Sequence, residues 1–260
     1  MGVRGRCQRR WRYVLKADPS RQWRLLDLQA VDTRMDQITH ARATLPLLAE
    51  LAGLEVQALA LDTELVNART ALSDVQREVD KAEADVQLVR GRADRDNARL
   101  DAGTGTAKDL QALQHEVASL ARRQAELEDL ELEVMERAEA LQGRVAALGS
   151  SRAELGSRIE EVRSARDAAL ADLDAEARQV SAGRGDAVAG VGEDLVALYE
   201  KIRSRSGGLA AAAVKQRRCG GCRLEMNQVD VDRLRAAPDD EVLRCEECRR
   251  ILVRTAESGL

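Results

Sequence analysis

The feature that most limits the fold is a run of apolar residues at alternating steps of three and four. Leu51, Leu54, Ala58, Leu61, Leu65, Ala68, Leu72, Val75, Val79, Ala82, Val86, Val89 and Ala93 keep that spacing without a break. Residues three and four apart share one side of an α-helix, so this is a narrow seam on a very long helix. A second seam runs through Leu110, Leu113, Val117, Leu120, Leu127, Leu130 and Val134, then Leu141, Val145, Leu148, Leu155, Ile159, Val162, Ala169 and Leu173. Gln124, Arg152 and Arg166 fall at seam positions, where a polar side chain fixes register at some cost in stability. Between the seams lies Asp101-Ala-Gly-Thr-Gly-Thr-Ala-Lys108, whose glycines permit a turn and whose threonines can cap the next helix. Two long helices joined by a short turn fold back as an antiparallel hairpin. Arms of about 75–80 residues at ~1.5 Å per residue give an expected rod on the order of 110 Å long. The absence of Phe, with only two Trp and two Tyr in 260 residues, agrees with a narrow seam rather than a wide core.

The second constraint lies near the C-terminus. Cys219-Gly-Gly-Cys222 and Cys245-Glu-Glu-Cys248 are two Cys-x-x-Cys pairs separated by twenty-two residues. Each pair forms a tight knuckle, and the segment between them returns the chain so that four sulfurs converge. Four thiolates suit one tetrahedral Zn²⁺ and leave no position for a catalytic water, so the expected metal is structural. The competing reading is a pair of redox dithiols or four unlinked cysteines. With four cysteines assigned to metal, only Cys7 is left over, and the pattern points to a reducing, cytoplasmic setting.

The remaining stretches complete the plan. Residues 1–18 are basic and lack helical or strand periodicity; they read as a disordered extension, with Val14 a candidate translation start. The hairpin occupies 19–182, with Ser20 as N-cap of its first helix, a break expected at Pro46 and the tip near 101–108. Residues 183–208 form a glycine-rich linker and a short helix bearing Leu195, Leu198, Tyr199 and Ile202, packed at the base of the rod. Residues 209–260 form the metal-bound ribbon, a small antiparallel sheet with a short helix near Val229–Arg235. The fold class is mainly α: a long antiparallel coiled-coil hairpin with a small C-terminal β zinc ribbon. No apolar run reaches the ~20 residues that span a bilayer, and no membrane partner is expected.

Charge is unevenly spread. Residues 1–24 carry +7, residues 25–200 carry −15 and residues 201–260 carry +4. Within the last segment, Lys201, Arg203, Arg205, Lys215, Arg217, Arg218 and Arg223 form a run with no acid. Such a run can contact the phosphate backbone of RNA or DNA, with weak sequence preference because no aromatic follows Tyr199. A protein adaptor or scaffold is the alternative, with the rod seeking basic partners and the ribbon offering edge strands and apolar groups such as Leu224, Met226 and Leu252. Arg95, Arg99 and Lys108 concentrate charge at the tip, a candidate docking point. His40 and His115 have no ligand cluster around them, and no catalytic constellation or phosphate loop is present, so the chain reads as non-enzymatic. The seams satisfy each other, so a monomer is the default; leftover apolar stripes leave room for a dimer.

Leu198-Tyr-Glu-Lys-Ile-Arg203, Cys219-Gly-Gly-Cys-Arg-Leu-Glu-Met226 and Arg244-Cys-Glu-Glu-Cys-Arg-Arg-Ile-Leu252 carry a resemblance. Over about residues 20–254 the chain resembles the bacterial C4-type zinc ribbon proteins with an N-terminal coiled-coil hairpin. The Asp-Ala-Gly-Thr turn is most similar to the actinobacterial branch. The resemblance implies a metal-ligand role for Cys219, Cys222, Cys245 and Cys248, and a function in binding nucleic acid or in adapting transcription and flagellar proteins. It departs at Val253, where relatives often carry Tyr.

Overall fold

The computed structural model describes residues 15–260; the stretch 1–14, with most of the basic extension and Val14, lies outside the described residues. The chain divides into two compact units, one of residues 46–165 and one that joins the N-terminal residues up to Leu45 to Arg166–Leu260.

In the first unit, α2 (Pro46–Asp101) pairs with the part of α3 (Ala107–Ala182) that precedes Arg166. All thirteen positions of the first seam are buried or half-buried. Leu51 and Ala58 pack with Ile159 and Val162. Ion pairs across the seam fix direction and register. Glu50 meets Arg158 at 2.9 Å, Asp62 meets Arg152 at 2.7 Å, Glu78 meets Arg137 at 3.0 Å and Arg90 meets Glu128 at 2.9 Å. One partner climbs as the other falls, which is the antiparallel pairing expected. Arg152, placed by sequence on the seam, grips Asp62 with two nitrogens. Leu130 departs from expectation: it is half exposed, while Ala138 is buried. Strict steps from Leu127 pass through Glu131, Val134, Ala138 and Leu141, so Leu130 lies one residue off the seam. At the turn, Thr106 and Asp109 cap each other: Asp109 Oδ2 accepts from the Thr106 N–H at 3.0 Å and Thr106 Oγ1 accepts from the Asp109 N–H at 3.2 Å.

One 18-residue stretch inside Pro19–Asp101 is long and apolar enough, by length and composition alone, to cross a bilayer. That corrects the sequence reading that no run reaches that length. In α2, Leu51 and Ala58 are committed to the seam, and the nearby acids Glu50 and Glu55 are paired with Arg158 and Arg163.

The second unit is built around α1 (Pro19–Ala43), which ends before Pro46 as expected. Its N-cap is Asp18, not Ser20: the Asp18 side chain accepts from the Ser20 N–H at 2.9 Å, and Pro19 fills the first helical position, where no amide hydrogen is required. Residues 15–18, read from sequence as the end of an unstructured extension, are tied down. The Val242 N–H donates to Leu15 O, the Ala17 N–H donates to Asp240 O, and Ala17 is buried. The region after α3 holds two helices, α4 (Arg184–Val191) and α5 (Glu193–Arg203), broken at Gly192 with φ of 88°.

The ribbon contributes β1 (Ala211–Lys215), β2 (Arg218–Cys219), α6 (Gln228–Ala236), β3 (Leu243–Arg244) and β4 (Ile251–Val253). Strand order is β2-β1-β4-β3. The expected all-antiparallel sheet is corrected: Ala211–Ala213 run parallel to Ile251–Val253. Both knuckles and α6 lie between β1 and β4, a connection long enough for the crossover that a parallel pair needs. The expected boundary at 208/209 does not separate two bodies. Leu25 and Leu28 of α1, Leu195 and Tyr199 of α5, and Ile251 and Val253 of β4 share one core. A second core lies inside the ribbon, around Val214, Val231, Leu234, Leu243 and Leu252.

Candidate metal centre and ribbon surface

Each knuckle begins where a strand ends. The Cys219 N–H donates to Leu224 O at 3.0 Å and the Arg223 N–H donates back to Cys219 O at 2.7 Å. The second knuckle repeats this: the Cys245 N–H donates to Arg250 O at 2.9 Å and the Arg249 N–H donates to Cys245 O at 2.9 Å. In both, the residue after the second cysteine takes a left-handed backbone, φ 64° at Arg223 and 62° at Arg249. Gly220 is required by contact, since a Cβ there would stand 2.7 Å from Ala213 O. The second knuckle carries Glu246 and Glu247 in place of the two glycines.

The four sulfurs converge. All lie within 4.8 Å of one another, with Cys219 Sγ 3.8 Å from Cys248 Sγ and Cys222 Sγ 3.9 Å from Cys245 Sγ. A disulfide needs about 2.05 Å. A tetrahedron with Zn–S near ~2.3 Å has edges of about 3.8 Å. The geometry and the all-sulfur donor set therefore fit one zinc ion. Backbone N–H groups of Gly221 and Cys222 point at Cys219 Sγ, and those of Glu247 and Cys248 at Cys245 Sγ. Burial nevertheless pushes the Cys219 thiol up to about 12 and raises that of Cys245. At Cys248 burial is outweighed by the Arg250 N–H and the three neighbouring thiols, which bring it down to about 7. Metal binding thus has to displace protons, and metal affinity falls with acid.

The seven basic residues from Lys201 to Arg223 have different fates. Arg203 turns inward, 2.7 Å from Asp36 and 3.5 Å from Asp32, so it is not a phosphate-facing group. Lys215 pairs with Glu257 and Arg218 with Glu225, each at 3.3 Å. Arg217 donates to the neutral Gln228 at 2.6 Å. Lys201, Arg205 and Arg223 are exposed and make no ion pair among the described residues. Other ribbon arginines serve the backbone: Arg250 donates to Leu209 O and Ser206 O, and Arg254 to the carbonyls of Leu234, Ala237 and Pro238. At the hairpin tip Arg99 lies 3.6 Å from Asp96, while Arg95 and Lys108 make no ion pair among the described residues. His40 and His115 are exposed.

Sequence reasoning missed two features. Trp23, which is 56% exposed, is brought from α1 to the ribbon by donation of its Nε1–H to Arg254 O at 2.8 Å. The other is a groove between α6 and the second knuckle, lined by Leu224, Met226, Leu234, Leu243 and Leu252 among others. Its volume is about 120 Å³. Small-molecule sites usually enclose about 300–1,000 Å³, so this groove fits an anchoring side chain. The sequence does single out Leu224, Met226 and Leu252, but as exposed groups. Only Leu224 is, at 54%; Met226 and Leu252 are buried and form the floor.

Comparison with known proteins places this arrangement. Residues 28–207 match the CT398-like coiled coil hairpin domain. The chain belongs to that family. Residues 218–252 match the C4-type zinc ribbon domain, and Cys219, Cys222, Cys245 and Cys248 are the ligand set of one structural zinc. A Mycobacterium tuberculosis protein is 37% identical over 240 residues, covering 92% of this chain and 98% of the relative. A structure from Mycobacterium smegmatis has a TM-score of 0.82 at 38% identity, covering 92% of this chain and 100% of that one. The CT398 structure from Chlamydia trachomatis has a TM-score of 0.65 at 15% identity, covering 90% of this chain and 98% of that one, and so shares the fold. Within this family of hairpins, the present chain carries its ribbon on the same core as α1 and α5.

Proposed function

We propose that the protein is a non-enzymatic adaptor whose zinc ribbon holds a segment of a protein partner in the groove beside α6. The observation that carries this reading is the groove itself: a buried apolar floor with Leu224 standing exposed at its edge. The zinc supports it indirectly. Cys245 lines the groove, so a closed four-thiolate site keeps that wall in place and supplies no reacting group.

A second reading, binding to the RNA or DNA backbone, draws on Lys201, Arg205, Arg217 and Arg223, which no carboxylate neutralises among the described residues, and on exposed Trp23. It is weakened by the internal use of Arg203, Lys215 and Arg218.

One experiment weighs the two. A random peptide library is selected on the zinc-loaded full chain, and labelled single-stranded RNA, single-stranded DNA and duplex are titrated against the same protein at low and physiological salt. The adaptor reading predicts selected peptides that lose most of their affinity for Leu224→Asp. Selection of no such peptide would overturn it. Nucleic-acid binding that falls steeply with salt and collapses in Arg217→Glu/Arg218→Glu would then put the second reading first.

A further inference from the structure

The chemistry of the groove specifies more than docking. Resting on the adaptor reading, we infer that the segment it accepts is a short peptide with an apolar anchor flanked by lysine or arginine. The floor takes the anchor. Met226, Leu234, Leu243 and Leu252 are each less than a tenth exposed, so a side chain placed there gives up water on the face it turns to the floor.

The rim sets the flanks. Glu225, Asp230, Glu246 and Glu247 stand around the opening, against two cations, Arg233 and Arg244. Both cations are already directed at neighbours: Arg233 pairs with Glu246 across the groove, and Arg244 Nε donates to Arg249 O at 2.8 Å. Glu225 is engaged by Arg218. Asp230 and Glu247 make no ion pair among the described residues, one on the first turn of α6 and one on the second knuckle. Two unneutralised carboxylates on opposite walls favour a cation on either side of the anchor and repel an acidic peptide. They repel phosphates equally, so this surface does not serve a nucleic acid.

The test is fluorescence anisotropy with the zinc-loaded full chain and three labelled hexapeptides: Arg-Lys-Leu-Leu-Lys-Arg, Arg-Lys-Ser-Ser-Lys-Arg and Glu-Glu-Leu-Leu-Glu-Glu. The first is expected to bind, the second about tenfold more weakly and the third not at all. Leu224→Ser should weaken the first about fivefold. Asp230→Asn/Glu247→Gln should do the same and also flatten its salt dependence, with zinc content and helicity unchanged. If the acid-flanked leucine peptide binds as well as the basic one and depends on Leu224, the inference fails while the adaptor reading stands. Absence of Leu224-dependent binding by all three also overturns the inference; the library selection then decides separately whether the groove binds peptides at all.

Discussion

Asp32 sits on α1 with its side chain 3% exposed, ringed by groups from distant parts of the chain. It accepts from Arg184 Nε at 2.7 Å and from the Tyr199 hydroxyl at 2.9 Å, and Arg203 Nε lies 3.5 Å away. Burial alone would raise its pKa, but the hydrogen bonds from Arg184 and Tyr199 and the charge of Arg203 hold it below the usual carboxylate range. A carboxyl whose folded pKa is depressed adds stability above its unfolded value of about 3.9, and loses it as pH falls through the folded value. Asp32→Asn should therefore cost about 3 kcal/mol at pH 7. That penalty should shrink as the pH falls below about 4, measured by urea midpoints at pH 7 and pH 3. An equal gap at both would show that the carboxylate charge is not what stabilises the unit. Nothing local reveals this role. Asp32, like Gln22 and Gln29, reads as a solvated helix position, and its partner Tyr199 is 167 residues away. The Tyr199-x-x-Ile202-Arg203 motif, legible as a family signature, thus works as packing and charge compensation around one buried acid.

Elements show where periodicity speaks and where it stops. The seams of α2 and α3 are readable because a long helix pair needs every third or fourth residue apolar, and spacing alone places Arg152 among them. The parallel pairing of β1 with β4 is not readable, since a five-residue strand and a three-residue strand carry no pattern that fixes direction. The knuckles are readable in their cysteines but not in their backbone. Arginine occupies the left-handed position of both, at a cost of about 1–2 kcal/mol relative to an ordinary conformation. Arg223→Gly and Arg249→Gly should each raise ribbon stability by about 0.5–1 kcal/mol, once the greater freedom of glycine in the unfolded chain is subtracted. Arg218→Gly, at a strand position, should lower it. Hydrogen exchange at β1 and β4 distinguishes these outcomes, and loss of protection in Arg223→Gly would mean that its side chain holds the knuckle together.

At the scale of the whole chain, charge and metal divide the work. Residues 25–200 keep a net −15 while several of their arginines, Arg137 and Arg158 among them, are engaged in pairs across the hairpin, and the cations of residues 201–260 are largely spent on carboxylates and carbonyls. Net charge by segment therefore overstates what the ribbon has left for phosphates, because sequence does not show which cations face inward. The four-thiolate site is legible in full from spacing. The groove beside it is not, because its walls come from α6 and the second knuckle, and their approach depends on the fold. The central claim is that the zinc is closed and structural, holding a binding surface rather than a reacting centre. The most direct test is zinc K-edge X-ray absorption on the native protein, with metal content measured on the same sample. The account predicts one zinc per chain with four sulfur neighbours at about 2.3 Å and no lighter ligand. Three sulfurs with an oxygen or nitrogen in the fourth position would contradict it, because an open coordination site is what a catalytic zinc requires.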